Sequence, residues 1–129
     1  MANMISKKPI LIGIVLCALL SFLFVGNAYA ASTSVSISNG SGPVLSSVIA
    51  TNYGVSYYGS NSNRSGHILH ISIEEKTGAY WRTDTSNPMG IGQTASGSSK
   101  LKVPAQWRVK LNPDNYHTDC SGYGQISGS

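Results

Sequence analysis

The sequence is poor in charged residues and in cysteine. Only 11% of its 129 residues are Asp, Glu, Lys or Arg, whereas soluble proteins average about 25%. A coiled coil or a charged disordered tail is therefore a poor description of the chain. The two cysteines are Cys17 and Cys120, and no internal disulfide is possible if the first 30 residues are removed. Cys120 is then a buried inert side chain, one half of an intermolecular bridge, or a reactive nucleophile.

The first 30 residues have the three parts of a secretory signal peptide. Residues 1–8 form a short basic start, residues 9–26 are uncharged and apolar apart from Ser21, and Ala28-Tyr29-Ala30 places small residues at a cleavage site. We therefore expect a secreted, extracellular protein cleaved after Ala30, with no stable transmembrane segment after cleavage. The alternative is an uncleaved anchor, because the apolar run is near the roughly 18 residues at which a helix spans a bilayer.

Half of the net charge of +4 comes from this leader. Without Lys7 and Lys8, seven basic side chains face five acidic ones. The mature chain is therefore only weakly basic, and we predict no nucleic-acid partner.

Residues 31–129 show short apolar alternations separated by Ser, Gly, Thr and Asn, a pattern typical of antiparallel sheets. Two strands are clearest, residues 67–73 and residues 105–111. The side chains expected to face the core are His67, Leu69, Ile71, Ile73, Trp107, Val109 and Leu111. Weaker alternations occur at residues 34–38, 44–49, 55–58, 79–84, 91–95 and 101–103. The sequence therefore predicts an all-β fold, a small antiparallel β-sandwich of six or seven short strands.

Turn residues set the other expected boundaries. Residues 85–90 include Asn87-Pro88 and Gly90 and predict a turn, and residues 96–99 predict a loop. After Asn112 no alternation is visible. We predict a β-sandwich domain over residues 31–111 and an irregular C-terminal segment over residues 112–129.

No group of residues predicts catalysis or a cofactor. His67 and His70 are three apart on a predicted strand, so their side chains point to opposite faces and do not share a metal ion. His117, Asp119 and Cys120 are close in sequence, but the predicted irregular segment lacks the rigid scaffold that a nucleophile needs. We predict a protein that is not an enzyme, with no cofactor and no metal site.

The aromatic and basic residues are better candidates for binding. The adjacent pairs Tyr57-Tyr58 and Tyr80-Trp81 send one ring to each face of a strand, so one ring of each pair is exposed. Lys100, Lys102, Arg108 and Lys110 form a basic patch for anionic wall polymers or phospholipid head groups if their strands pair. The alternatives are that the tyrosines only support strand formation and that the cations are only solvated. The candidate binding residues are Tyr57, Tyr58, Tyr80, Trp81, Lys100, Lys102, Arg108 and Lys110.

The order of several short motifs carries a family resemblance. The motifs are Tyr53-Gly54-Val55-Ser56, Ser60-Asn61, the histidine-containing strand at residues 67–73, Thr77-Gly78, Asp84-Thr85 and residues 92–94. In this order residues 53–111 resemble the lactococcin 972 family of secreted bacteriocins. The resemblance implies a small β-sandwich that acts without an enzymatic step on the Gram-positive envelope, with a cell-wall precursor or envelope polymer as its partner.

The expected function is therefore that of a secreted, non-enzymatic bacteriocin-like or toxin-like protein that binds a bacterial cell-envelope component. The alternative is an extracellular surface, matrix or carbohydrate-binding protein without killing activity. A small secreted hydrolase or inhibitor is a third class.

Overall fold

Nine strands and one short 3-10 turn make up residues 31–128, the part of the chain that the structure, a computed structural model, describes. The strands are β1 (Ser32–Ile37), β2 (Val44–Leu45), β3 (Ile49–Thr51), β4 (Val55–Asn61), β5 (Leu69–Lys76), β6 (Arg82–Met89), β7 (Thr94–Ser98), β8 (Ala105–Pro113) and β9 (Gly122–Gly128). The turn, Asp114–Tyr116, follows β8. The predicted signal peptide lies outside the described residues. Within residues 31–128, no helix is long and apolar enough to cross a membrane.

The strands form two antiparallel sheets. The first sheet has the order β1-β9-β4-β7. In the second sheet the order is β2-β8-β5-β6, and β3 also pairs with β8. The predicted all-β sandwich is confirmed, with nine strands where six or seven were expected.

The core lies between the two sheets. Its buried members are Ile37, Ile49, Val55, Tyr57, Leu69, Ile71, Ile73, Met89, Trp107, Val109, Leu111, Cys120 and Ile126. In β5 and β8 every second side chain is buried, because successive side chains on a strand point to opposite faces. Both predicted inward rows are confirmed except at His67, which precedes β5 and is partly exposed.

Glycines of the first sheet make room for large side chains of the second. A Cβ atom on Gly59 would lie 2.6 Å from Cδ1 of Ile71, and one on Gly124 would lie 3.1 Å from Cδ2 of Leu111. The inner face of the first sheet is therefore partly backbone. Close packing of interiors leaves no space for a side chain at these positions.

Two predicted connections are strands. Residues 85–89 belong to β6, where Pro88 pairs with His70. Because β6 lies at the edge of its sheet, a residue without an N–H is tolerated there. The turn comes later, where the N–H of Gln93 donates to the carbonyl of Gly90 at 2.9 Å. Residues 96–98, predicted as a loop, belong to β7.

Two other expectations are also wrong. Residues 101–103 do not form a strand. The segment predicted to be irregular after Asn112 contains β9, which lies between β1 and β4 in the first sheet. Its inward positions include Gly124 and Ile126, and the glycine hides the apolar alternation by which a strand is recognised.

Candidate binding surfaces

The first predicted aromatic pair is split between the core and the surface. Tyr57 is 8% exposed and Tyr58 is 40% exposed. The Tyr57 hydroxyl accepts a hydrogen bond from Nδ2 of Asn87 on the opposite sheet. Tyr57 is therefore a core residue, which corrects its assignment as a binding residue. Tyr58 faces outward from β4, the interior strand beside β9.

Tyr58 lies within an uncharged array of polar side chains on the outer face of the first sheet. The register aligns three rows across β1, β9, β4 and β7. The rows are Ser32-Ser127-Ser56-Ser98, Ser34-Gln125-Tyr58-Ser96 and Ser36-Tyr123-Ser60-Thr94. We call these twelve residues the hydroxyl face, because every member except Gln125 bears a hydroxyl group.

The hydroxyl face has a regular spacing set by the sheet. Neighbouring strands lie about 4.8 Å apart and alternate residues on one strand about 6.8 Å apart. Tyr123 is held in place, since its hydroxyl donates to Oε1 of Gln125 at 2.7 Å. The result is a grid of short donors and acceptors around one exposed aromatic ring.

The predicted row of four cations is not formed. Arg108 and Lys110 face outward from β8, whereas Lys100 and Lys102 lie in the irregular connection between the sheets. The backbone N–H of Lys100 donates to Oδ1 of Asp84 at 2.7 Å, and that of Leu101 donates to Oδ2 at 2.9 Å. These bonds hold the connection to the Asp84 carboxylate, so it does not pair as a strand beside β8.

The second predicted aromatic pair lies at the loop between β5 and β6. Tyr80 is 81% exposed, and Trp81 is half-buried. The guanidinium carbon of Arg108 lies 4.1 Å from the centre of the Trp81 ring, and Nζ of Lys76 lies 6.0 Å from it. We call Lys76, Tyr80, Trp81, Arg82 and Arg108 the hairpin surface.

Ion pairs brace the hairpin surface. Nε of Arg108 donates to Oε1 of Glu74 at 2.6 Å, and both side chains are largely buried. Nε of Arg82 lies 3.2 Å from Oε1 of Glu75, which is buried. Gly78, Ala79, Tyr80 and Arg82 line a shallow depression beside these pairs.

A third group of residues, His67, His117 and Asp119, lies where the segment before β5 meets the segment before β9. We call these three residues the histidine group. Nδ1 of His67 lies 2.7 Å from Oδ2 of Asp119, and the His67 and His117 rings stack with centres 3.4 Å apart and planes 8° from parallel. His70 instead contacts Asp114, with Nε2 and Oδ1 3.2 Å apart. The sequence marked His117 and Asp119 as neighbours, but nothing in their spacing indicated His67, about fifty positions earlier.

Backbone hydrogen bonds join the two segments that carry this group. The N–H of Gly66 donates to the carbonyl of Asp119 at 2.9 Å, and that of Ser62 donates to the carbonyl of Ser121 at 2.8 Å. The Ser65 hydroxyl donates to the Ser121 carbonyl at 2.9 Å. A Cβ on Gly66 would lie 2.0 Å from Oδ2 of Asp119. The glycine therefore lets the carboxylate reach His67.

Comparison with known proteins shows a likeness of fold. No protein-family model matches the sequence, and the search of curated proteins finds no relative. Among solved structures, PirA aligns with a TM-score of 0.53 and 15% identity over 74% of this chain and 92% of that chain. At this identity the likeness shows a shared fold alone.

Two further structures align less well. The Yersinia pseudotuberculosis-derived mitogen has a TM-score of 0.42 and 13% identity over 76% of this chain and 83% of that chain. The CBM36-1 domain of a multidomain xylanase from the hindgut metagenome of Trinervitermes trinervoides has a TM-score of 0.43 and 9% identity over 73% of this chain and 77% of that chain.

Cys120 lies beside the histidine group but faces the core. It is fully buried, and its thiol donates to the His67 carbonyl, with Sγ and the oxygen 3.4 Å apart. Burial raises the pKa of the Cys120 thiol, and the nearby Asp119 charge adds to the rise. A buried thiol that stays protonated is a poor nucleophile. This position corresponds to the buried, inert alternative.

Proposed function

We propose that the protein is a secreted, non-enzymatic, bacteriocin-like or toxin-like protein that binds a glycan component of the bacterial cell envelope. The hydroxyl face is the binding surface. The observation that carries this proposal is the composition of that face, where eleven of twelve outward side chains bear a hydroxyl and none is charged. Its partner is an envelope polymer or wall precursor with many hydroxyl groups.

The chemistry of the hydroxyl face suits an uncharged sugar surface. Hydroxyl groups both donate and accept, so they match the hydroxyl groups of a sugar in several orientations. Short serine side chains adapt their hydrogen bonds, and a tyrosine adds a large, rigid contact at a small entropic cost. Tyr58 is the aromatic ring on which a sugar ring stacks.

The absence of charge also lowers the cost of binding. Removing an ionised side chain from water is far more costly than removing a hydroxyl, which regains its hydrogen bonds to the ligand. The free-energy cost of desolvation is therefore small when an uncharged polymer displaces water from a face of serines. The predicted signal peptide and the family resemblance support the same envelope location.

The non-killing alternative uses the same binding chemistry. An extracellular carbohydrate-binding protein needs the hydroxyl face and nothing further. The structure favours this alternative in one respect, because the predicted basic row for anionic polymers or lipid head groups is not assembled. Growth inhibition, rather than glycan binding, separates the two functions.

The test is co-sedimentation of the purified protein with cell walls from Gram-positive bacteria, alongside growth inhibition of the same strains. We expect Tyr58→Ala to weaken wall binding at least about tenfold, as truncation of a central aromatic contact does. Ser96→Glu, which places a charge beside Tyr58 on the neighbouring strand, should weaken it similarly. Ser86→Glu on the second sheet is the matched control and should bind normally.

Tyr80→Ala tests the hairpin surface as the competing location. Tyr80 is also an exposed tyrosine, so its truncation controls for general loss of aromatic area. Loss of wall binding in Tyr80→Ala with normal binding in Tyr58→Ala would overturn the assignment to the hydroxyl face. A wild-type protein that neither binds walls nor inhibits growth would overturn the function itself. Binding without inhibition would establish the non-killing alternative.

A further inference from the structure

The group formed by His67, His117 and Asp119 has the donor atoms of a metal site. One nitrogen from each imidazole and one carboxylate oxygen all lie within 4.8 Å of one another. Two ligand atoms on a tetrahedral Zn²⁺ lie about 3.4 Å apart, as metal–ligand distances of about 2.1 Å require. Placing the three donors around one ion therefore requires their separations, which are at most 4.8 Å, to change by no more than about 1.4 Å.

We propose that His67, His117 and Asp119 bind one Zn²⁺ ion. Two imidazole nitrogens and one carboxylate oxygen form a donor set that suits zinc and leaves the fourth position open. The cluster has a single carboxylate, which is too few oxygen donors for a Ca²⁺ or Mg²⁺ site of the usual kind. The inference is independent of the proposed glycan binding, because none of the three residues belongs to the hydroxyl face.

Two of the three ligands are held side by side, and zinc binding replaces the hydrogen bond between His67 and Asp119. His67 and Asp119 are in contact at 2.7 Å, and the hydrogen bonds between residues 62–66 and residues 119–121 hold their backbones together. Such preorganisation reduces the conformational entropy that a ligand must overcome. The side chains of His67 and Asp119 are 41% and 42% exposed, so an ion has access from solvent.

His117 is the adjustable ligand. Parallel stacked rings do not both aim an in-plane lone pair at one ion, so binding requires the His117 ring to rotate. Within residues 31–128 the His117 ring stacks on His67 and makes no side-chain hydrogen bond that would resist rotation. Zinc binding therefore replaces the stack with coordination.

The chain contains a matched control. His70 also contacts an aspartate, with His70 Nε2 3.2 Å from Asp114 Oδ1, and its exposure is similar at 33%. This pair has no third donor within the described residues. His70→Ala therefore removes an imidazole from an equivalent histidine–aspartate pair without affecting the proposed site.

The test is isothermal titration of Zn²⁺ into purified protein that carries no polyhistidine tag. We expect one ion per chain, with affinity reduced at least about tenfold by His117→Ala and by Asp119→Asn, and unchanged by His70→Ala. Ca²⁺ and Mg²⁺ at the same concentrations should produce no binding heat. Co²⁺ is the spectroscopic probe, and its visible absorption should show nitrogen and oxygen ligands in the wild type and be lost in His117→Ala.

Several results would overturn the site. They are the absence of stoichiometric Zn²⁺ binding, binding that His117→Ala leaves intact, and equal losses in His117→Ala and His70→Ala. Melting of each variant in metal-free buffer shows whether it is folded. If Asp119→Asn fails to fold, Asp119→Glu, which keeps the carboxylate, should retain more zinc affinity than His117→Ala. Failure of this experiment leaves wall binding by the hydroxyl face untouched, so the two proposals fail separately.

Discussion

The guanidinium carbon of Arg108 lies 4.1 Å from the centre of the Trp81 ring, and this contact joins the β5–β6 loop to the outer face of β8. Arg108 is oriented from the other side by Glu74, with a 2.6 Å contact between Nε and Oε1. Arg108 therefore links the loop to both Glu74 of β5 and the outer face of β8. The contact is a tertiary one, since β8 follows the loop by more than twenty residues.

This arrangement predicts coupling between Trp81 and Arg108. Cation–π contacts stabilise by about 0.5–1 kcal/mol at exposed sites and about 2 kcal/mol when desolvated. We expect a double-mutant cycle with Trp81→Ala and Arg108→Ala, measured by urea unfolding, to give a favourable coupling energy in this range. The same cycle with Trp81→Ala and Lys110→Ala is the control, and comparable coupling there would contradict a specific contact.

Truncation of Trp107 should cause a large loss of stability. The side chain is fully buried at the centre of the second sheet, and Trp107→Ala should reduce the free energy of unfolding by about 3–5 kcal/mol. Its indole nitrogen lacks a hydrogen-bond partner among the described residues, so Trp107→Phe, which keeps a ring without the nitrogen, should cost less. Denaturant unfolding of both variants measures the difference, and equal costs would refute this account of the site.

A side chain at Gly66 should disturb the histidine group by steric overlap with Asp119. A Cβ there would lie 2.0 Å from Oδ2 and 2.7 Å from Cγ of Asp119. Gly66→Ala should displace the carboxylate from His67 and cost about 1–3 kcal/mol, as overpacking typically does. Gly78→Ala is the control, because a Cβ on Gly78 meets nothing within 4 Å. Thermal melts and the histidine NMR resonances follow both effects, and unchanged His67 resonances in Gly66→Ala would contradict the prediction.

The Cys120 thiol should be unreactive in the folded protein. Because the side chain is fully buried and burial raises its pKa, we expect slow reaction with a thiol reagent at neutral pH and rapid reaction in denaturant. A pKa raised by folding stabilises the folded state below the ordinary thiol pKa, and this contribution is lost as the pH rises through the alkaline range. Fast native-state labelling, or a dimer on a non-reducing gel, would contradict the buried position.

The strands with regular apolar alternation were predictable from sequence, and those built around glycine were not. Ile71 and Val109 belong to rows in which every second residue is apolar, so β5 and β8 could be identified directly. β9 could not, because Gly124 occupies an inward position where Leu111 and Val109 of the opposite sheet fill the space. Pro88 predicted a turn because proline has no N–H to donate within a sheet. This argument excludes proline from an interior strand but not from an edge strand such as β6.

The candidate surfaces were predictable only in part. Alternation required one ring of the Tyr57-Tyr58 pair to be buried, but only the sheet packing decided that it was Tyr57. The grid around Tyr58 depends on the register of β1, β9, β4 and β7. Register between distant strands is a long-range property that no local pattern contains.

Local patterns were sufficient for the class of fold, because strands with alternating apolar side chains and no helical segment beside them bury those side chains by packing one sheet on another. Which distant residues meet depends on long-range pairing that no local pattern contains. His67 lies beside His117 and Asp119 because hydrogen bonds join two loops far apart in the chain. The serines of four strands become one hydroxyl face because antiparallel pairing aligns them. The proposed zinc site and the hydroxyl face both arise from contacts between distant segments. The positions of these segments depend on the packing of the entire core.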